Sequence, residues 1–129
     1  MNVRPFLMFE GRAEEAMRFY VSLIPGSEIL EIVRYGPGQP GPEGSVMKAT
    51  ASLAGQTVLC TDSFVEHGFT FTPSISLFVQ CDSEEQVSRI SSALADGGSV
   101  LMPLGSYGFS RLFAWVNDRF GVSWQLNLE

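Results

Sequence analysis

The segment SISLFVQCDSEEQVSRISSALADGGS, residues 74–99, joins a strand pattern to an amphipathic helix pattern. In this segment every second residue from Ile75 to Cys81 is apolar (Ile75, Leu77, Val79 and Cys81), which predicts a strand with one apolar face. Ser83 then provides a helix cap, and Gln86, three residues later, completes a capping box. Apolar residues follow at helical spacing until two glycines end the helix. The segment therefore predicts a strand followed directly by a helix.

The rest of the chain extends this unit and repeats it. Three strands are predicted after the helix, at about 99–104, 112–117 and 122–128. An earlier copy reads as a strand, a helix and three strands at about 4–9, 13–24, 28–35, 45–53 and 56–61. The sequence thus predicts an α+β fold in one domain of 129 residues. It is built from two βαβββ modules, at about 1–62 and 73–129, joined by a connector at 63–72.

Two such modules are expected to form a curved eight-stranded sheet. Each helix covers one face of its strands, and the other face lines a concave cup of the kind in which ligands bind. Residues 36–44 are mostly glycine and proline, so they are expected to form a loop. We expect this loop to be either a lid over the cup or a disordered tip.

Composition excludes several classes of partner. Hydrophobic residues make up 45% of the chain, enough for a buried core, and the net charge is −6 with only eight Lys and Arg. Nucleic acid and anionic membranes need clustered basic residues, so neither is expected as a partner. No apolar run approaches the roughly 20 residues of a membrane span. The first residues do not resemble a signal peptide, and we expect a cytoplasmic protein.

Three titratable residues are candidates for catalysis. Cys60 is either a small core residue, as we also expect for Cys81, or a reactive thiol paired with His67. His67 is the only histidine and the only side chain with an ordinary pKa near neutrality, but its connector position also suits a solvent-exposed residue. Asp62 is either a base or anchor in the cup, or an ordinary residue at a strand end.

Strand alternation predicts which residues line the cup. In the last strand, Ser123 and Gln125 share one face with Asn127, while the apolar residues between them pack under the helix. The same alternation points Ser74, Ser76 and Phe78 into the cup. Trp115 either packs in the core or contacts the ligand. The predicted ligand-binding residues are Gln125, Ser74, Ser76, Phe78, Ser123 and Trp115. Hydroxyl, amide and aromatic groups suit a neutral or weakly polar molecule.

Four stretches resemble the vicinal-oxygen-chelate (glyoxalase/bleomycin resistance/dioxygenase) superfamily, and within it the PhnB-like group. That group is often labelled 3-demethylubiquinone-9 3-methyltransferase. The resemblance implies the glyoxalase/bleomycin resistance fold over nearly the whole chain. The matching stretches, in chain order, are PFLMFEG (5–11), AEEAMRFY (13–20), FTPSISLFV (71–79) and DRFGVSWQ (118–125).

The resemblance also identifies four positions where glyoxalase-like members hold a divalent metal with His or Glu. In this chain they fall on Pro5, near Cys60 to Asp62, on Ser74 and on Gln125. Pro5 has no donor side chain, and Ser74 and Gln125 stand where the superfamily has His and Glu. We therefore expect no metal centre of the superfamily type, and no other cofactor.

Three functions remain open at this point. The first is a metal-free small-molecule-binding protein, or a metal-free enzyme of the lyase or isomerase kind. The second is the methyltransferase of the family label, acting on a demethylubiquinone-like substrate. The third is a resistance protein that sequesters a drug without changing it. Because similar proteins commonly pair, a homodimer is also expected.

Overall fold

The computed structural model of the chain describes residues 1–129, which divide into two compact units, Met1–His67 and Gly68–Glu129. The boundary between them falls inside the connector expected at 63–72. Each unit runs strand, helix and three strands, so the predicted α+β class and the two βαβββ modules are confirmed. Neither helix has the length and apolar character that a membrane span requires.

The strands are hydrogen-bonded as two four-stranded sheets, one in each unit. The first unit contains β1 (Phe6–Phe9), α1 (Ala13–Leu23), β2 (Glu28–Arg34), β3 (Val46–Leu53) and β4 (Gln56–Asp62), with sheet order β1-β4-β3-β2. The second contains β5 (Leu77–Gln80), α2 (Glu84–Ala95), β6 (Ser99–Gly105), β7 (Leu112–Asn117) and β8 (Ser123–Leu128), with order β5-β8-β7-β6. In each sheet the first strand pairs in parallel with the last, and the other pairs are antiparallel.

Each helix buries one stripe of its side chains. Helix α1 buries Ala13, Ala16, Met17, Tyr20 and Leu23, and helix α2 buries Val87, Ile90, Ser91 and Leu94. A fully buried side chain the size of Met17 contributes roughly 1.5–3 kcal/mol. The cap of α2 also forms, because Ser83 Oγ accepts a hydrogen bond from the Gln86 amide at 3.2 Å. The Gln86 side chain returns to the amide of Asp82, one residue earlier than in the usual capping box.

Strand β5 is shorter than the strand predicted for residues 74–81. A turn precedes it, in which the Ile75 amide donates to the Thr72 carbonyl at 3.3 Å. This turn holds residues 74–76 out of the ladder, and Ile75 is exposed instead of lying under helix α2. The predicted alternation therefore fails for Ser74 and Ile75, whereas Ser76 still points toward Ser123 and Gln125.

The Gly/Pro-rich loop at 36–44 is anchored by Tyr35. The Tyr35 amide donates to the Ser45 carbonyl at 2.9 Å, and its carbonyl accepts from the Gly44 amide at 2.8 Å. Its ring packs edge-on against Phe64, with centroids 5.9 Å apart, and lies against Gly41 so closely that no Cβ would fit there. The loop is therefore tied to Tyr35 at its C-terminal end and at Gly41, while most of its other residues are exposed.

We predict that Gly98→Ala destabilises the second unit by about 2–3 kcal/mol, because an added methyl group overpacks the site. A Cβ at Gly98 would lie 2.0 Å from the carbonyl oxygen of Asn117, a backbone atom that moves only with β7. Gly36→Ala is the control, since its nearest neighbour would be Gln39 Oε1 at 3.6 Å. Urea unfolding measures both variants, and equal stabilities would refute the close approach.

Candidate functional site

The exposed face of the second sheet lies on the side of β8 opposite helix α2. Trp124 and Leu126, on the helix side of β8, are almost completely buried. Gln125 lies between them in sequence and points to the other face, where it lines a cavity of about 430 Å³. This arrangement follows from strand alternation, which sends successive side chains to opposite faces.

One row of side chains crosses this face from strand to strand. Gln125 of β8 pairs in register with Phe78 of β5 on one side and with Trp115 of β7 on the other. Trp115 in turn pairs with Met102 of β6. All four side chains line the cavity. An amide thus lies between two aromatic rings on the floor of the site.

Further aromatic residues and two polar groups complete the lining. Phe113 of β7 and Phe109, from the loop before β7, meet edge to face with centroids 5.0 Å apart. Asn127, two residues beyond Gln125, donates through its Nδ2 to Gln80 Oε1 at 3.0 Å. Glu129 also lines the cavity. The aromatic groups supply flat apolar contacts, and the polar groups supply hydrogen bonds.

A chain of hydrogen bonds holds the polar floor. The indole Nε1 of Trp115 donates to Ser123 Oγ at 2.8 Å, and Ser123 Oγ lies 2.7 Å from Ser76 Oγ. The Nε2 of Gln125 donates to the same Ser76 oxygen at 3.2 Å. Ser123 is 1% exposed, so its hydroxyl hydrogen has to be satisfied inside the protein. The two serines therefore fix both the indole and the amide from behind the cavity.

The structure brings five of the six predicted ligand-binding residues together. Gln125, Phe78 and Trp115 line the cavity, while Ser76 and Ser123 support them. The exception is Ser74, which lies outside β5 in the turn described above, with its hydroxyl 3.2 Å from that of Thr72. The sequence placed Asn127 on the cup side of the last strand without naming it among the ligand-binding residues, and it did not assign Phe109, Phe113, Met102 or Glu129 to the site. Asn127 and Phe113 carried a signal, since they alternate in step with Gln125 and Trp115.

The candidate nucleophile Cys60 is part of the core. Its side chain is completely buried in the first unit. Burial raises the pKa of its thiol to about 12, and the nearby Asp62 carboxylate adds to the shift. A thiol with this pKa stays protonated at neutral pH and is a poor nucleophile. The geometry supports the core interpretation of Cys60.

The candidate base Asp62 is committed to the backbone. Its Oδ1 accepts hydrogen bonds from the amides of Gly11 at 3.0 Å and Ala13 at 2.8 Å, and its Oδ2 accepts from the amide of Val46 at 3.1 Å. The residue is 5% exposed. Asp62 therefore satisfies the first amides of helix α1 from the end of β4, a capping role that helix ends require.

The candidate acid or base His67 is exposed at the end of the first unit. Its Nε2 lies 2.9 Å from Ser63 Oγ, which also accepts a hydrogen bond from the Val65 amide at 3.1 Å. These contacts organise the beginning of the connector. His67 does not line the cavity of the second unit.

The positions that the superfamily uses for a metal do not fit one here. Pro5 offers only its backbone carbonyl, which accepts from the Leu59 amide, and the Asp62 carboxylate is occupied by three amides. Ser74 lies in a turn, and Gln125 presents an amide. No three His, Cys, Asp or Glu residues of the chain are grouped so that they could hold a metal ion.

Comparisons with known proteins agree with the fold. A family profile described as 3-demethylubiquinone-9 3-methyltransferase matches residues 1–127. The chain is similar to a PhnB protein from Bacillus cereus, with 54% identity over all of both chains and a TM-score of 0.96. It is also similar to protein PA1353 from Pseudomonas aeruginosa, with 29% identity, coverage of 100% and 98%, and a TM-score of 0.86.

A more distant similarity bears on the fold alone. A glyoxylase/bleomycin resistance protein/dioxygenase domain from Frankia sp. EAN1pec shares 15% identity, coverage of 99% and 96%, and a TM-score of 0.67. The glyoxalase/bleomycin resistance fold implied by the resemblance is thereby confirmed.

We predict that Asp62→Asn destabilises the protein by about 2–3 kcal/mol, because the new NH₂ group would face a backbone amide that needs an acceptor. In one orientation of the substituted side chain its NH₂ group faces the amides of Gly11 and Ala13, and in the other it faces the amide of Val46. Asp96→Asn is the matched control, since the side chain of Asp96 is 83% exposed and its contact with Arg119 is 3.8 Å long. Thermal and urea unfolding compare the two. Equal stabilities would contradict the capping role.

Proposed function

The chain belongs to the 3-demethylubiquinone-9 3-methyltransferase family, the PhnB-like group, and within it we propose that this protein binds a small molecule in the cavity of its second unit. The proposed recognition combines stacking on the aromatic walls with hydrogen bonds to the amide floor. It involves no metal and no other cofactor. The proposed location is the cytoplasm.

The observation that carries this proposal is the row Phe78–Gln125–Trp115. Ligand pockets are usually about 300–1,000 Å³ in volume, mostly apolar, with a few fixed polar groups. The cavity, at about 430 Å³, falls in that range. Its central amide is held by Ser76, and its indole by Ser123, so both are oriented before a ligand arrives. Preorganised groups lose little entropy on binding.

The methyltransferase suggested by the family description is the second candidate function. Methyl donors and dinucleotides are commonly bound at a turn after a first strand, where backbone amides at a helix N-terminus face the ligand. Here the corresponding amides, those of Gly11 and Ala13, are occupied by the Asp62 carboxylate. The geometry therefore favours ligand binding over methyl transfer. Calorimetry that showed S-adenosylmethionine binding with micromolar affinity would reverse this preference.

A sequestering protein and an enzyme differ in what happens to the bound ligand. Sequestration predicts tight binding with the ligand recovered unchanged, whereas an enzyme produces a new compound. The lining of the cavity contains one ionisable residue, Glu129, and lacks the histidine or cysteine that acid–base and nucleophilic chemistry most often use. This lining favours binding without turnover, in agreement with the sequestration hypothesis.

We predict that 1-naphthylmethanol, a flat ring with one hydroxyl, binds in the cavity. Trp115→Leu is expected to weaken binding roughly tenfold, because it removes the indole ring on which the probe would stack. Gln125→Leu is expected to weaken it roughly fivefold, because it removes one hydrogen bond. Calorimetry measures the affinities.

Ser74→Ala is the matched control for this experiment. Ser74 was expected in the site from sequence, but the structure places its hydroxyl beside Thr72, so binding should be unchanged. Failure of the wild-type protein to bind the probe, or equal losses in all three variants, would refute the proposed site.

We extend the proposal to a homodimer. Strand β6 is an edge strand of its sheet and carries exposed aliphatic side chains at Val100, Leu101 and Leu104. An edge strand that carries exposed apolar side chains is usually covered by another chain or protected by charged residues. We predict that light scattering gives twice the 14.1 kDa mass of one chain. A single-chain mass at high micromolar concentration would contradict the prediction.

A further inference from the structure

We propose that the ligand of this cavity is an organic cation: an amine or ammonium group attached to a flat apolar body. The inference rests on the proposed function, since it assumes that the cavity binds a small molecule, and it adds the charge of that molecule. Three features of the cavity support it: its aromatic rings, its only charged residue, and the orientation of its amides.

The aromatic rings provide surfaces that attract positive charge. Phe78 and Phe109 are 58% and 63% exposed, so their ring surfaces are open to a ligand, while Phe113 packs behind Phe109. Trp115, the ring that attracts cations most strongly, lies on the floor with its indole nitrogen held by Ser123. Four aromatic side chains in one cavity form the kind of site in which ammonium groups are bound over ring faces.

Glu129 is the only lining residue that carries a charge, and the charge is negative. None of the ion pairs in the chain involves it. Arg111, whose amide donates to the Leu128 carbonyl, has its guanidinium Nε 4.0 Å from a carboxylate oxygen of Glu84 on helix α2. The net charge of the chain, −6, adds a long-range attraction for cations.

The two amides on the floor leave hydrogen-bond acceptors available. Gln125 uses its Nε2 to donate to Ser76, and Asn127 uses its Nδ2 to donate to Gln80. With the amides in this orientation, the carbonyl oxygens of Gln125 and Asn127 are left to accept from a ligand N–H or O–H. The cavity lining holds no Lys or Arg to receive a phosphate, sulfonate or carboxylate. The lining therefore offers no positive charge to an anion, whereas a cation would meet the Glu129 carboxylate and the ring faces.

Three probes with the same ring test this inference: 1-naphthylmethylammonium, 1-naphthylmethanol and 1-naphthylacetate. We expect calorimetry to show that the ammonium probe binds at least about fivefold more tightly than the alcohol. The acetate should bind more weakly than the alcohol. Because salt screens exposed charges, added salt should weaken binding of the ammonium probe and leave the affinity for the alcohol unchanged.

Two charge-matched variants identify the source of the preference. Glu129→Gln is expected to weaken binding of the ammonium probe roughly threefold, which is the size of an exposed charge interaction. The affinity for the alcohol should stay the same. Glu85→Gln alters the net charge equally, but its side chain is 73% exposed on helix α2, outside the cavity lining, so both affinities should stay the same. Equal weakening in both variants would assign the preference to net charge and overturn the role of Glu129.

The outcomes separate this inference from the proposed function. If all three probes bind equally, or the acetate binds most tightly, the cation inference is wrong while the cavity remains a binding site. If none of the probes binds, both proposals fail. If the ammonium probe is preferred but Trp115→Leu does not weaken it, the aromatic part of the inference is wrong.

Discussion

The buried carboxylate of Asp118 fixes the register on which the candidate site depends. Its Oδ1 accepts from the amides of Phe120 at 2.9 Å and Val122 at 3.0 Å, and its Oδ2 accepts from the indole of Trp124 at 2.9 Å. The residue is 2% exposed and lies at the turn between β7 and β8. A slip of one residue in a strand would send every side chain to the opposite face. By binding Trp124 on the helix side, Asp118 keeps Gln125 on the side of the cavity.

The two units share one topology but differ in how they use polar groups. In the first unit the carboxylate of Asp62 and the hydroxyl of Thr61 are both bonded to backbone atoms, Thr61 donating to the Met47 carbonyl at 2.8 Å. In the second unit the side chains of Ser76, Ser123 and Gln125 bond to one another. Side chains that bond to backbone stabilise the fold, whereas a network of side chains can present unused atoms to a ligand. The proposed binding site therefore rests on the side-chain network of the second unit.

Strand alternation predicted much of the fold and part of the site. It assigned Gln125 and Ser123 to one face of β8 because that strand lies inside the sheet and one of its faces is covered by a helix. The same reasoning was wrong for Ser74, because the turn that begins at Thr72 removes it from the strand. Pro73, at the second position of that turn, is a turn signal that strand alternation does not take into account. In the sequence, Asp62 and Cys60 are candidates for catalysis. Their burial and hydrogen bonds in the structure indicate a structural role instead. Phe109 lies in a loop, where no periodicity indicates which way a side chain points.

The change from metal ligands to an amide and hydroxyls alters what this fold can recognise. A divalent ion binds anionic or strongly polar oxygen atoms, and its charge dominates the site around it. Without that charge, the remaining electrostatic features are ring faces, carbonyl oxygens and the carboxylate of Glu129, all of which carry negative potential. The electrostatic potential of the proposed site is thus opposite in sign to that of a metal centre in the same fold. In the proposed site, substitution at a few strand positions, with the scaffold unchanged, would therefore be enough to move the preference from anionic ligands to cationic ones.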